Sequence, residues 1–279
     1  MMQFDWIIQA LQDIFLNEEN LAAIYAYLAA MVLLVALLLI SRWQRLGLVD
    51  KLVIGTIRGT IQIILMALIL IQVFALENIF ILYFVLVFMC TFAAYTAKGN
   101  LKKIPGVFRP SLVGILVGGL SVLTLCLLLG ILPPSGDYNL GEFLIPMGGM
   151  VIGNAMNIST LVIERMWSNA QKQRSLMETA LALGATPHQA TEMTIRESLT
   201  TGLLPNLNRY ASLGIVTIPG LMSGMIIGGA SPMFAAFYQV IVFIMIFLAQ
   251  VIDGELVSRL FLKEMFNDRY QIIVPPQTT

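Results

Sequence analysis

Residues 111–131 read SLVGILVGGLSVLTLCLLLGI and contain no charged side chain. A helix needs about 20 predominantly apolar residues to cross a bilayer, so this stretch predicts a membrane-spanning helix. Six further stretches meet the same criterion, some more clearly than others: 20–41, 56–75, 79–97, 143–163, 210–229 and 233–252. The sequence therefore predicts an all-α integral membrane protein with about seven transmembrane helices.

The composition excludes several classes of soluble protein. Hydrophobic residues make up 58% of the chain and charged residues 11%, whereas soluble domains average about 45–50% and about 25%. The formal net charge of zero argues against a nucleic-acid-binding protein, and the two cysteines are too few for a disulfide scaffold. Cys90 and Cys126 both lie in apolar runs, so we interpret them as packing residues.

The positions of the basic residues predict the orientation in the membrane. All 16 Lys and Arg residues belong to the segments that follow the first, third, fifth and seventh spans. Because cytoplasmic loops carry the Lys and Arg, the N-terminus is predicted outside and the C-terminus in the cytoplasm of a multi-pass protein of the cell inner membrane. The predicted domains are an outer-face amphipathic helix in 1–19, a transmembrane domain in 20–263 and a cytoplasmic tail in 264–279.

The amphipathic helix is predicted over residues 3–16, where apolar residues recur at helical spacing. Such a helix can lie in the outer membrane surface. Packing on the outer rim of the protein itself explains the pattern equally well.

The only long polar stretch, 164–209, is predicted to form a cytoplasmic helix–turn–helix between spans five and six. A first helix over Gln171–Leu183 ends at Gly184, a residue that commonly stops helices. A second helix starts at Pro187 and is predicted to end before Pro205. A compact tip of this kind is suited to docking on a partner, and a merely solvated loop is the alternative.

Four short strings carry a resemblance to known transporters. The segment ETALALG (178–184) resembles the E-A-A-x-x-x-G signature of ABC-transporter permeases. The strings IGNAMN (152–157), LGATP (183–187) and LGIVTIPGLMSG (213–224) occur in this order and together resemble the FetB-type permease family of iron exporters. The resemblance covers residues 20–265. Leu204-Pro205 lies further from Gly184 than in general ABC importers, a spacing that the FetB-type family shares, so importer mechanics are not carried over.

The resemblance implies a permease subunit that exports iron or a related metal species and contributes to metal homeostasis. Two copies would form the pathway, and a separate ABC ATPase would bind ATP and Mg. The chain itself would bind no cofactor and would not be an enzyme, since its sequence contains no Walker-type phosphate loop. The resemblance assigns coupling to the ATPase to Glu178, Ala180, Leu183, Gly184, Ala185, Thr186, Pro187 and His188.

Polar and sulfur-containing side chains in spans five and six are the candidate pathway, because polar groups are expensive in lipid. Met147, Met150, Asn154 and Asn157 recur at helical spacing on one face. They are interpreted either as a substrate-facing stripe or as a seam between helices held by asparagine. Pro219-Gly220 predicts a break or kink in span six, and Met222 and Met225 follow it. The residues that would bind a metal are not identified.

Two other functions stay open from the sequence. One is ATP-driven export of a small metabolite or a lipid, since metal-binding side chains are scarce. The other is a non-transporting membrane scaffold that regulates a partner ATPase, although a scaffold would not need the Pro-Gly break or the Asn/Met stripe.

Overall fold

A computed structural model describes the chain as helical, and the all-α prediction is confirmed. Two isolated bridges, Leu213–Thr217 and Phe266–Ile272, are the only β pairings in the part described. The described residues are 18–75, 78–132, 139–215 and 217–275. The predicted outer-face helix over 3–16 lies outside them. The chain divides into two compact units, Met1–Leu76 and Glu77–Thr279.

The first unit contains two long apolar helices, α1 (Glu18–Trp43) and α2 (Val49–Ala75). The hydroxyl groups of Tyr27 and Thr60 lie 2.8 Å apart and link the two helices. Most of their apolar side chains are exposed, which suits helices surrounded by lipid.

The second unit contains the remaining helices. A π-helical turn, Leu116–Leu120, joins α4 and α5 into one continuous helix. The side chains of Asn78, Asn139, Thr186 and Ser231 each accept a backbone N–H at the start of a helix, as N-cap residues do. The helices are α3 (Ile79–Asn100), α4 (Phe108–Ile115), α5 (Ser121–Leu128), α6 (Leu140–Lys172), α7 (Arg174–Ala182), α8 (Pro187–Ala211), α9 (Gly220–Ile227) and α10 (Pro232–Glu264).

Six helices of the described chain are long and apolar enough to cross a membrane, one fewer than the seven predicted. They are Leu21–Trp43, Val49–Phe74, Ile79–Asn100, Phe108–Leu128, Leu140–Lys172 and Pro232–Glu264. The stretch 210–229 does not form a single helix, because α8 ends at Ala211 and α9 begins only at Gly220. Between them Gly214 adopts a φ of +84°, and Pro219 has no N–H with which to continue a helix. The predicted break at Pro219-Gly220 is therefore present and is longer than a kink.

The second helix of the polar loop was predicted to end before Pro205, which is wrong. Helix α8 continues through Pro205 to Ala211. Proline removes one backbone hydrogen bond, and the exposed position of Pro205 spares the contact face of the helix. On that face Gly202 lies against Ile158 and Val162 of α6. Packing of α8 on α6 therefore outweighs the local helix-breaking effect.

A close packing of α4, α6 and α10 forms the centre of the second unit. Asp253 of α10 is completely buried, and Ser159 Oγ of α6 lies 2.8 Å and 3.0 Å from its two carboxylate oxygens. Gly114 and Gly118 supply the third side of this contact, since a Cβ atom at either position would collide with α10. Small residues thus allow three backbones to approach one buried carboxylate.

Adding one methyl group at this contact should destabilise the fold. In Gly118→Ala the new Cβ would lie 2.7 Å from the carbonyl oxygen of Ala249, and such overpacking costs about 1–3 kcal/mol. The matched control is Gly153→Ala, where nothing lies within 4 Å of the added atom and the higher helix propensity of alanine is favourable. Thermal unfolding in one detergent should show a lower midpoint for Gly118→Ala alone, and equal midpoints would contradict the packing.

Removing the hydroxyl partner of the buried carboxyl should also destabilise the protein. Ser159→Ala leaves Asp253 without its donor, a loss of about 1–3 kcal/mol. The neighbouring Thr160 donates only to Met156 O of its own helix, so Thr160→Ala should cost less. Denaturant unfolding of both variants compares them directly. A larger loss for Thr160→Ala would show that the Ser159–Asp253 contact is not stabilising.

Candidate docking surface and candidate pathway

The predicted helix–turn–helix is formed by α7, a four-residue turn and α8, with Gly184 in the turn. Gly184 has a φ of +94°, a conformation that glycine adopts without a Cβ clash. Thr186 and Gln189 form a reciprocal capping box at the start of α8, and Pro187 is its first residue. The first predicted helix is split, because α6 extends to Lys172 and α7 begins at Arg174.

The tip of the turn is exposed. Leu183 is 84% exposed, which is unusual for so large an apolar side chain outside a membrane span. Gly184, Thr186 and His188 are exposed as well, while Ala180, Ala185 and Pro187 are half-buried. Glu178 is exposed and forms an ion pair with Arg174 at 2.7 Å. Five of the eight residues assigned to coupling are thus exposed at or near the turn, and the other three are half-buried.

A C-terminal hairpin beside this turn was not predicted from the sequence. Ile273 N donates to Met265 O, and Asn267 N donates to Gln271 O. The side-chain oxygen of Asn267 accepts the N–H groups of residues 269 and 271 and fixes the turn, where Tyr270 has a φ of +58°. The signal available in the sequence was the turn pair Asn267-Asp268 followed by the apolar run 272–274. We refer to residues 265–274 as the C-terminal hairpin.

The C-terminal hairpin is anchored to α7. Val274 is completely buried and Ile272 is 6% exposed, in the same apolar cluster as Met177 of α7. Arg174 Nη1 donates to Val274 O at 2.7 Å, so one arginine holds both Glu178 and the hairpin.

An open groove of about 990 Å³ separates the hairpin from the helix–turn–helix. One wall carries residues of α7 and of the turn, and the other wall carries hairpin residues. We refer to it as the docking groove, and its lining is Arg174, Glu178, Leu181, Ala182, Gly184, Ala185, Thr186, Pro187, Asn267, Arg269, Tyr270, Gln271, Ile272 and Ile273.

The four candidate pathway residues of α6 differ in burial. Met147 is 2% exposed and lies in the core, Met150 and Asn154 are half-buried, and Asn157 is exposed. Asn154 Nδ2 donates to Met150 O within its own helix. The contact to the neighbouring helix comes instead from Gln250, whose Nε2 donates to Asn154 O at 3.2 Å. The stripe therefore runs from the interior to the surface.

A small cavity at the middle of α6, which we call the Gln250 cavity, was also missed; polar side chains border it, but most of its surface is apolar. It has a volume of about 60 Å³ and brings together side chains of α6, α8 and α10. Gln250 is completely buried, and its Oε1 has no hydrogen-bond partner among the described residues. The sequence signal was polar residues inside otherwise uncharged helical runs. The lining residues are Asn154, Asn206, Arg209, Phe243, Ile246, Phe247 and Gln250.

The candidate residues after the break belong to the short helix α9. Pro219 is its N-cap and is half-buried, and Gly220 is its exposed first residue. Met222 N donates to Gln239 Oε1 of α10 at 3.2 Å, and Met225 is half-buried. At 1.5 Å per residue, the eight residues of α9 are too short to cross a bilayer.

Across the described ranges, no group of three or more His, Cys, Asp or Glu residues could hold a metal ion. The structure therefore contains an exposed turn beside an open groove and, separately, the Gln250 cavity, and the metal-binding residues stay unassigned.

Comparison with known proteins places these features in a family. The family described as "Uncharacterised protein family (UPF0014)" matches residues 24–266. The chain is 31% identical to "UPF0014 membrane protein STAR2" of Oryza sativa subsp. japonica over 91% of this chain and 88% of the relative. It is 31% identical to "Protein ALUMINUM SENSITIVE 3" of Arabidopsis thaliana, over 88% of each chain.

A bacterial relative matches over a similar length. "Probable iron export permease protein FetB" of Escherichia coli (strain K12) is 29% identical over 93% of this chain and 98% of the relative. No solved structure matches the chain. The resemblance drawn from the four strings is confirmed, and the chain is a multi-pass membrane protein that belongs to the UPF0014 permease family.

Proposed function

We propose that this chain is the membrane permease of an ATP-driven ABC exporter and that two copies form its pathway. The observation that supports it best is the exposed, capped turn at 183–188, which leads directly into α8 and, through α7, to the long helix α6. A partner ATPase that binds Leu183 and Gly184 in its cleft would contact the turn that connects α7 to α8. The docking groove beside the turn gives that partner a second wall to contact.

The contacts of α7 explain how movement of an ATPase would reach the membrane helices. Met177 is packed in one apolar cluster with Met166 of α6 and Phe261 of α10. Arg174 bonds the hairpin that directly follows α10. A displacement of the turn would therefore act on α6 and α10 together, because closely packed side chains transmit movement as a rigid body.

The proposed cargo is iron or a related metal species. The printed name of the Escherichia coli relative refers to iron export, and that of the Arabidopsis relative refers to aluminium sensitivity. The amide side chains at the border of the Gln250 cavity and the break between α8 and α9 are the parts of the second unit suited to a polar pathway. Broken helices in transporters commonly border such a pathway.

Transport by a reconstituted complex tests this function. The permease would be co-expressed with the ABC ATPase that purifies with it and placed in inverted vesicles, where export appears as uptake. We expect ATP-dependent uptake of radiolabelled iron that fails without the ATPase. Uptake of a metabolite or lipid instead would replace the cargo. ATPase binding without any transport would favour the scaffold function.

A bulky residue at the docking turn should uncouple the complex. Gly184→Trp fills space that is open in the permease and that the proposed partner would occupy. Gly47→Trp is the matched control, because Gly47 also has a positive φ and nothing within 4 Å of an added Cβ. We expect both variants to reach the membrane and only Gly184→Trp to lose the ATPase during purification. Equal ATPase recovery and equal transport by the two variants would contradict docking at this turn.

A further inference from the structure

Helix α6 differs from α10 in the side chains that it exposes. The two helices have the same length of 33 residues, and both are apolar enough to cross a membrane. Helix α10 exposes a row of large apolar side chains, namely Met233, Phe237, Val240, Ile244, Leu248 and Val251. Helix α6 exposes none, and its exposed residues are Glu142, Pro146, Asn157, Glu164, Arg165 and Lys172. The free side of α10 therefore suits lipid, whereas the free side of α6 does not.

Asn157 of α6 and Asn208 of α8 lie on the same side of this helix pair. Asn157 is two residues before Ser159, which bonds α10. Asn208 is two residues before Tyr210, whose ring contacts α10. Two residues correspond to about 200° around a helix, so both asparagines lie on the side away from α10. Gly202 packs α8 directly on α6, so the two sides adjoin, and we refer to them as the α6–α8 face.

The α6–α8 face lies at the depth of an uncharged part of the membrane domain. Asn157 belongs to the uncharged stretch 143–163 of α6. Asn206, two residues before Asn208, borders the Gln250 cavity together with Asn154 of α6, so Asn208 lies beside the same stretch. Both Asn157 and Asn208 are exposed, and neither side-chain amide has a hydrogen-bond partner within the described ranges.

Lipid is an unsuitable surrounding for this face. A side-chain amide carries two donors and an acceptor, and polar residues within membrane helices face the interior of a bundle or a water-filled cavity. The α6–α8 face must therefore meet water or another protein surface. Helix α6 also leads, through Gln173 and α7, to the docking turn. The helix that bears this face is thus the one that an attached ATPase would move.

We propose that the α6–α8 face lines the pathway between two copies of this chain. Two-fold symmetry places the same face of the second copy opposite it, so that Asn157 and Asn208 of each copy border the water-filled space through which the cargo passes. The apolar row of α10 faces lipid. This inference rests on the proposed transport by two copies and adds which helices form the wall of the pathway.

Thiol labelling in open membrane fragments tests whether water reaches the face. Cys90 and Cys126, both buried and free, are first replaced by alanine. Single cysteines are then introduced as Asn157→Cys, Asn208→Cys and, as the matched control on the apolar row, Leu248→Cys. A charged methanethiosulfonate reagent should label both asparagine positions, because it reacts with the thiolate, which forms only in water. Leu248→Cys, at a position that is 41% exposed, should be labelled only after denaturation.

Cross-linking the same variants tests whether a second copy lies opposite. Bifunctional thiol reagents of increasing length should join two copies of Asn157→Cys, or of Asn208→Cys, into a covalent dimer that Leu248→Cys does not form. Size-exclusion chromatography identifies the variants that fold. Since the two asparagines are on different helices, either variant alone gives both measurements.

Three results would overturn the inference: no labelling at either asparagine position, equal labelling of Leu248→Cys in the native membrane, or no covalent dimer through either asparagine position. ATP-driven iron uptake by the complex with native residues is measured separately. Covalent dimers through Leu248→Cys alone, together with normal uptake, would leave the two-copy exporter standing and reject this face. Labelled and cross-linked asparagine positions without uptake would instead support the face and reject the proposed transport.

Discussion

The second unit depends on one buried carboxyl group, that of Asp253, in a region that excludes water. A carboxylate there is very unfavourable without a partner, and Ser159 on α6 supplies the hydrogen bond to both of its oxygens. The pair joins α10 to α6, and the glycines of α4 and of the π-helical turn complete the enclosure. Since hydrophobic burial cannot drive helices together inside lipid, such a polar contact with small residues around it is what fixes their register.

That register determines where the functional groups lie. One turn from Asp253, Gln250 bonds the backbone of Asn154, and Gly254 admits Leu199 of α8. Helix α8 therefore packs along α6 and places Arg209 at the Gln250 cavity. At the cytoplasmic side the same two long helices end near α7 and the C-terminal hairpin, so docking surface and cavity are connected through α6 and α10. A displacement at Gly184 would reach Asn154 through α7 and α6, which only Gln173 separates.

Local features of the sequence were sufficient to predict much of this structure. Uncharged runs of spanning length identified the long helices, and Thr186-Pro187 after Gly184 identified the turn because capping chemistry is local. What could not be predicted depends on tertiary contacts. The continuation of α8 past Pro205 requires the fit of Gly202 on α6, and the C-terminal hairpin requires the buried site for Val274. Because the second helix was predicted to end before Pro205, Arg209 was wrongly placed in a loop.

The break between α8 and α9 is consistent with a transport function and difficult to explain by packing alone. Interrupting a helix leaves backbone groups without their intrahelical partners. Here Gln239 accepts Met222 N, and within the break Gly214 N donates to Thr217 O and Thr217 N donates to Ser212 O. Arg209, in the last turn of α8, adds a charged group beside this break. The charge and the interrupted helix fall within one short segment, and both are more favourable where that segment meets water. A purely structural scaffold would gain nothing from this combination, whereas a permease must expose polar groups somewhere along its pathway.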